Sequence, residues 1–103
     1  GRTFIALLNR DLGDGMPLGI VLRFNRKELP TCTEWKMPGR GFYVLGLEPC
    51  TAVPLGRGRL RERGELPTLA GQSRYTVRIE FQVLDNLKEI EAVEREAKDL
   101  AKK

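Results

Sequence analysis

The sequence predicts a mainly β protein, an antiparallel β-sandwich followed by a C-terminal amphipathic α-helix, and three observations carry that expectation. Tyr75, Val77, Ile79, Phe81 and Val83 alternate with Thr76, Arg78, Glu80 and Gln82, the period-two pattern of a strand with one buried apolar face and one polar face. Such alternation fits an antiparallel sheet rather than a parallel sheet covered on both sides. Beyond residue 85 the period changes, and Leu87, Ile90, Val93, Ala97 and Leu100 recur at three- and four-residue steps. Between the candidate strands lie turn signals: Gly13-Asp14-Gly15, Leu29-Pro30, Pro38-Gly39 and Gly41.

Thr3 to Leu8 is the first expected strand, and Asn9-Arg10-Asp11-Leu12-Gly13-Asp14-Gly15 reverses the chain in a hairpin-like turn. In the second strand Leu18, Ile20, Leu22 and Phe24 share one face, with Gly19 and Arg23 on the other. Thr31 to Lys36 is rich in β-branched and aromatic residues and closes at Pro38-Gly39; Phe42 to Leu47 follows. Pro54, Gly56, Gly58, Gly64 and Pro67 keep residues 50–70 irregular, with a short helical turn over Leu60 to Arg63. The last strand is expected over Tyr75 to Leu84. In the helical tail, Asn86 with Glu89 forms a capping-box variant, and Glu91–Arg95 and Glu94–Lys98 are favourable four-residue pairs. The stripe is narrow, so the helix docks on its own sheet or on a partner.

A chain of 103 residues holds one domain, a β portion over residues 1–85 with the helix over residues 86–103. Apolar residues at 41% and charged residues at 31% describe an ordinary globular protein without an apolar run that could cross a bilayer. Gly1-Arg2-Thr3 lacks an initiator Met and a signal pattern, which points to an internal cut in a longer reading frame. Cys32 and Cys50 have neither CxxC spacing nor disulfide-scaffold density, and the chain has no histidine. No metal or cofactor is therefore expected, a reduced cytoplasmic setting is the default, and a Ser–His or Cys–His mechanism within the chain is excluded.

The net charge of +4 lies in the first 85 residues, because residues 86–103 carry five basic and five acidic side chains. Its densest part, Arg57-Gly58-Arg59-Leu60-Arg61-Glu62-Arg63, has no repeat and no interleaved aromatic to stack on bases, which argues against nucleic-acid binding. The segment with most chemical content is Phe42-Tyr43-Val44-Leu45-Gly46-Leu47-Glu48-Pro49, an apolar run that delivers one carboxylate at its end. An acid in such a place is either paired, here with Arg57 or Arg61, or poised for acid–base work. Trp35 is either core or a platform for the apolar side of a sugar ring; Lys36 and Arg57 are either solvated or contacts to a hydroxyl or phosphate. Cys50 is expected to be a small buried hydrophobe rather than a nucleophile, since no base is at hand to ionise it.

Several blocks carry a family resemblance. Leu8-Asn9-Arg10-Asp11-Leu12-Gly13, Thr33-Glu34-Trp35-Lys36-Met37, Tyr43-Val44-Leu45-Gly46-Leu47-Glu48-Pro49-Cys50-Thr51, Pro54-Leu55-Gly56-Arg57 and Arg61-Glu62-Arg63-Gly64-Glu65-Leu66-Pro67 resemble the C-terminal part of an uncharacterised branch of the aldose 1-epimerase (galactose mutarotase-like) proteins. The resemblance spans residues 3–85. It implies a large antiparallel sandwich binding a sugar or sugar phosphate, with Glu48 as the general base at the anomeric hydroxyl and a histidine from earlier in the chain as the acid. This chain has no histidine and matches about the last third of such a protein. The implied function is a carbohydrate-binding module, with Glu48 as candidate base for anomer interconversion if a partner supplies the acid, and Trp35, Lys36 and Arg57 as substrate contacts. The alternative is a structural or oligomerisation module with a degenerate sugar site. A half-sandwich exposes apolar sheet, so a homo-oligomer, most simply a two-fold dimer, is expected.

Overall fold

A computed structural model describes residues 1–102, with the backbone alone at Phe42; Lys103, the end of the expected helical tail, lies outside the described residues. The elements are β1 (Arg2–Asn9), β2 (Leu18–Asn25), β3 (Thr31–Gly39), β4 (Phe42–Cys50), α1 (Arg57–Glu62), β5 (Glu80–Leu84) and α2 (Leu87–Ala101). Antiparallel sheets and a C-terminal helix are the class the periodicities predict. The chain divides into two compact units: Gly1 with Asn25–Arg78, and Arg2–Phe24 with the chain from Ile79 onward.

The second of these units holds a sheet of order β1-β2-β5 and the helix α2. The β1–β2 loop is too short for the crossover a parallel pair needs, so the two strands form a hairpin. Side-chain-to-backbone bonds shape the turn. Asn9 Oδ1 accepts the Asp11 N–H, and Asp11 Oδ1 accepts the N–H groups of Gly13 and Gly15, both at 2.8 Å. Those two donors hold the Asp11 carboxyl below its usual range. On the other side of β2, β5 runs antiparallel, from Gly19 opposite Leu84 to Arg23 opposite Glu80.

Ile90 and Val93 of α2 close on Val21 and Leu84, flanked by Phe4, Ala6 and Leu8. Val21, Leu84 and Ile90 are fully buried. Gly19 makes this contact possible: a methyl there would lie 2.8 Å from Leu8 Cδ2 and 3.3 Å from the Leu7 carbonyl oxygen. Asn86 caps the helix as expected, its Oδ1 accepting the Glu89 N–H at 2.9 Å. The helix thus docks on its own sheet.

The expected pairs along the helix give way to pairs with Arg10, in the turn after β1, and with Arg23 on β2. Glu91 and Glu94 face Arg10 at 3.6 and 2.8 Å, and Glu96 takes both arms of the Arg23 guanidinium at 2.7 and 3.0 Å. A guanidinium held on a strand presents a fixed fork, whereas two mobile helix side chains must both be ordered to meet. Arg23 also lies 5.0 Å from the Phe4 ring centroid. The bond from Arg23 holds the Glu96 carboxyl below its usual range and raises Arg23 further above neutrality. A depressed folded-state value contributes stability above the ordinary carboxylate pKa of 4.5, and that stability is lost as pH falls through the lowered value. Glu96 is partly solvated, so the contribution is about 0.5–1 kcal/mol. Urea unfolding of wild type and Glu96→Gln should therefore differ by that amount at neutral pH and converge in strong acid; a difference that persists unchanged in acid refutes the assignment.

Two strand expectations need correction. The last strand begins at Glu80 rather than Tyr75, because β2 ends at Asn25 and turns away, with the N–H groups of Glu28 and Leu29 both donating to the Asn25 carbonyl. Among the described residues no strand pairs with residues 75–79: the Tyr75 hydroxyl donates to the Glu28 carbonyl and the Arg78 N–H to the Glu28 carboxylate. The buried face is also reversed. Phe81 and Val83 are each 67% exposed, and Leu84 is the buried residue of β5. The helix lies on the face of Arg23, Gln82 and Leu84, where Ile90 and Val93 bury Val21 and Leu84 and Glu96 meets Arg23.

The other unit holds the two-stranded hairpin β3–β4, paired from Thr31 opposite Cys50 to Gly39 opposite Phe42. Arg40-Gly41 makes the turn, with Gly41 at φ +83°, a conformation that suits glycine. Leu29 and Leu60 are buried in this unit. β4 extends past its expected end, so Glu48 lies within the strand, followed by Pro49. A two-stranded sheet has only edges, and a proline is tolerated there because no outer strand needs its N–H.

Candidate functional site

The β3–β4 register sorts the predicted site residues by face. Thr33 stands opposite Glu48, Trp35 opposite Gly46 and Met37 opposite Val44, so these six share one face with Thr31 and Cys50. The face grades from apolar at Met37 and Val44, through Trp35 beside a bare glycine, to polar at Thr33 and Glu48. Trp35 is 46% exposed and Glu48 is exposed, so both project to solvent from a regular strand pair.

Gly46 is the residue that joins them. A methyl group there would lie 3.3 Å from Glu48 Oε2 and 3.5 Å from Trp35 Cβ. The carboxylate therefore leans back along β4 over position 46, toward the tryptophan, into space that any side chain would take. Among the described residues no ion pair or hydrogen bond engages the Glu48 side chain, so the pairing with Arg57 or Arg61 is not formed. Arg57 opens α1, beyond the end of β4. Lys36 falls on the opposite face with Glu34, and the two pair at 3.3 Å. The hairpin brings Trp35 to Glu48 and turns Lys36 away.

The polar end of the face is closed by Cys50. Its sulfur lies 3.1 Å from Thr31 Oγ1 and 3.7 Å from Thr33 Oγ1, and the Thr31 hydroxyl also reaches the Cys50 carbonyl oxygen at 3.1 Å. Cys50 is half-buried, less covered than the expected small buried hydrophobe. Cys32 sits on the reverse face opposite Pro49, so the two cysteines cannot bridge, and both are free thiols. Burial, aided by the nearby carboxylates, pushes the Cys32 thiol up and away from thiolate chemistry.

Chemically, the face offers an aromatic surface, one carboxylate acceptor and threonine hydroxyls around a glycine gap. Sequence reasoning named Trp35 and Glu48 but missed Gly46 and Thr33. The signal for both was present: a two-residue turn at Arg40-Gly41 fixes the register, and the register fixes which residues meet. Among the described residues no cluster of three or more His, Cys, Asp or Glu side chains could hold a metal ion, and no helix is long and apolar enough to cross a membrane.

No curated protein and no solved structure matches the sequence. One family does, described as a domain of unknown function (DUF4432), and the match covers residues 1–83, which takes in every strand of both sheets apart from the last residue of β5. The chain belongs to the DUF4432 family.

Proposed function

We propose that the chain is a carbohydrate-binding module that holds a sugar or sugar phosphate on the Trp35–Gly46–Glu48 face of the β3–β4 hairpin. The observation that carries this reading is the gap at Gly46, over which an otherwise unengaged carboxylate leans, on the strand position paired with the half-exposed Trp35. A pyranose has apolar C–H faces and a polar rim; an aromatic ring suits the first, and carboxylate and hydroxyl acceptors suit the second. The resemblance to aldose 1-epimerases supports the same position for the same carboxylate.

In the catalytic form of this reading Glu48 is the general base. Its carboxylate takes the proton from the anomeric hydroxyl while an acid protonates the ring oxygen; the C1–O5 bond breaks, and the open-chain aldehyde turns before closing on the other face. General acid–base catalysis of this kind is worth about a hundredfold or more for each group. The acid comes from outside these 103 residues, since the chain has no histidine. Arg57 is a contact for a phosphate substituent. The second reading, a structural module with a degenerate sugar site, is favoured by the exposed apolar side chains Leu7, Leu18, Phe81 and Val83 on the sheet of the other unit.

Saturation-transfer NMR with glucose, galactose and their 6-phosphates tests the proposal. Wild type should show transfer to ring protons, and Glu48→Gln should weaken binding by about tenfold or more, the loss expected when a carboxylate acceptor becomes an amide. Equal binding by both proteins, or none by either, would overturn it.

A further inference from the structure

The β1-β2-β5 sheet has α2 on one face and carries no charged residue on the other. By strand parity Ile5 and Leu7, Leu18, Ile20, Leu22 and Phe24, and Phe81 and Val83 share that second face, while Arg2, Arg23 and Glu80 fall with the helix. Leu22 and Phe24 are buried, so the exposed part of the face is the part around Leu7, Leu18, Phe81 and Val83. Arg2 and Glu80 are paired with each other, and Arg23 with Glu96, so the sheet's charges are engaged on the helix side. Phe81 and Val83 form a ridge on β5, both 67% exposed. Beside the ridge runs a groove of about 530 Å³ lined almost wholly by apolar side chains, Leu7, Leu12, Leu18, Ile20 and Val83 among them.

Area and shape together identify the occupant. Five large apolar side chains, Leu7, Leu12, Leu18, Phe81 and Val83, each stand between 44% and 67% exposed. Together they present roughly 500 Å² of contiguous apolar surface, at the upper end of what soluble monomers show. Two such faces in contact bury about 1,000 Å² before any polar rim is counted, the size at which an interface becomes specific. A charged partner would find nothing on this face to complement. A second copy finds a ridge next to a groove, and a two-fold axis carries the ridge of each copy onto the groove of the other.

We propose that two copies of this chain pair through the exposed apolar part of the second face of the β1-β2-β5 sheet about a two-fold axis, with Phe81 of each seated in the groove between Leu7, Leu12 and Leu18 of the other. The proposal is independent of the sugar reading, since the β3–β4 hairpin is not part of this face. It makes Phe81 the anchor of the interface, a buried aromatic in a pocket, and such anchors dominate binding energies.

Sedimentation equilibrium across the micromolar range decides it. Wild type should show twice the chain mass, and Phe81→Asp should sediment as a single chain with unchanged far-UV circular dichroism and a cooperative melt. Its dissociation constant should rise about thirtyfold or more, as for an interface hot spot. Leu18→Asp, on the groove side, should give the same result and serves if the first variant does not fold. The proposal is overturned if wild type sediments as a single chain throughout the range, or if a folded Phe81→Asp or Leu18→Asp protein stays dimeric. The wild-type mass alone decides it should neither variant fold.

Discussion

Trp35→Ala is expected to cost about 2–4 kcal/mol of sugar binding, a loss of about thirty- to a thousandfold in affinity, and to leave folding nearly untouched. The asymmetry follows from where the indole stands. Trp35 is 46% exposed on a two-stranded sheet and contributes nothing to the fully buried set of Val21, Leu84 and Ile90, so truncation opens no cavity in that core. Its contribution lies in a broad rigid surface beside Gly46, held by the strand at low entropic cost. Trp35→Phe keeps an aromatic face and should retain most of the affinity. Lys36→Ala is the control, because Lys36 is one residue away in sequence yet on the reverse face, paired with Glu34. Titration of the four proteins with the tightest sugar found, followed by heteronuclear NMR, reads all of this. If Lys36→Ala weakens binding as much as Trp35→Ala does, the sugar lies on the other side of the hairpin.

Much of the fold was legible because the periods are clean. The strands from Thr3, Leu18, Thr31 and Phe42 and the helix after Asn86 all form where alternation and capping place them. What local pattern could not convey was which side of a strand another element would cover. Phe81 and Val83 look like core in the sequence, yet the helix covers the other side, where Val21, Leu84, Phe4, Ala6 and Leu8 give Ile90 and Val93 an apolar seat and Arg23 meets Glu96 at its edge. Tyr75 to Ile79 carry the same alternation, but a strand exists only where a neighbour completes its hydrogen bonds, and β2 has turned away by Asn25.

The candidate site was legible one residue at a time and not as a constellation. Glu48 stood out for its apolar approach and Trp35 for its bulk, yet Gly46, which stands opposite Trp35 and leaves room for the Glu48 carboxylate, is silent in any reading of composition. Lys36 was named for its charge, as a contact to a hydroxyl or phosphate, but next to Trp35 on a strand it falls on the opposite face. The ion pairs of α2 were misread for a related reason. Glu91–Arg95 and Glu94–Lys98 satisfy the helical spacing rule, but Arg10, distant in sequence, comes within reach of Glu91 and Glu94 once the helix docks.

Ile90→Ala should be the most damaging single truncation on α2, at about 3 kcal/mol, a large part of the 5–15 kcal/mol that holds a small domain together. Ile90 is fully buried and meets Val21 and Leu84, which are buried to the same degree, so a cavity formed there has rigid strand backbone on one side and cannot easily collapse. Leu87→Ala, one turn earlier on the same helix and 44% exposed, should cost under about 1 kcal/mol, since most of that side chain is in water before and after. Urea unfolding of the two variants measures the difference. An Ile90→Ala cost no greater than that of Leu87→Ala would mean that the helix is not seated on the sheet. It would also remove the reason for assigning the face of Phe81 and Val83 to a partner, because that assignment depends on α2 occupying the other side.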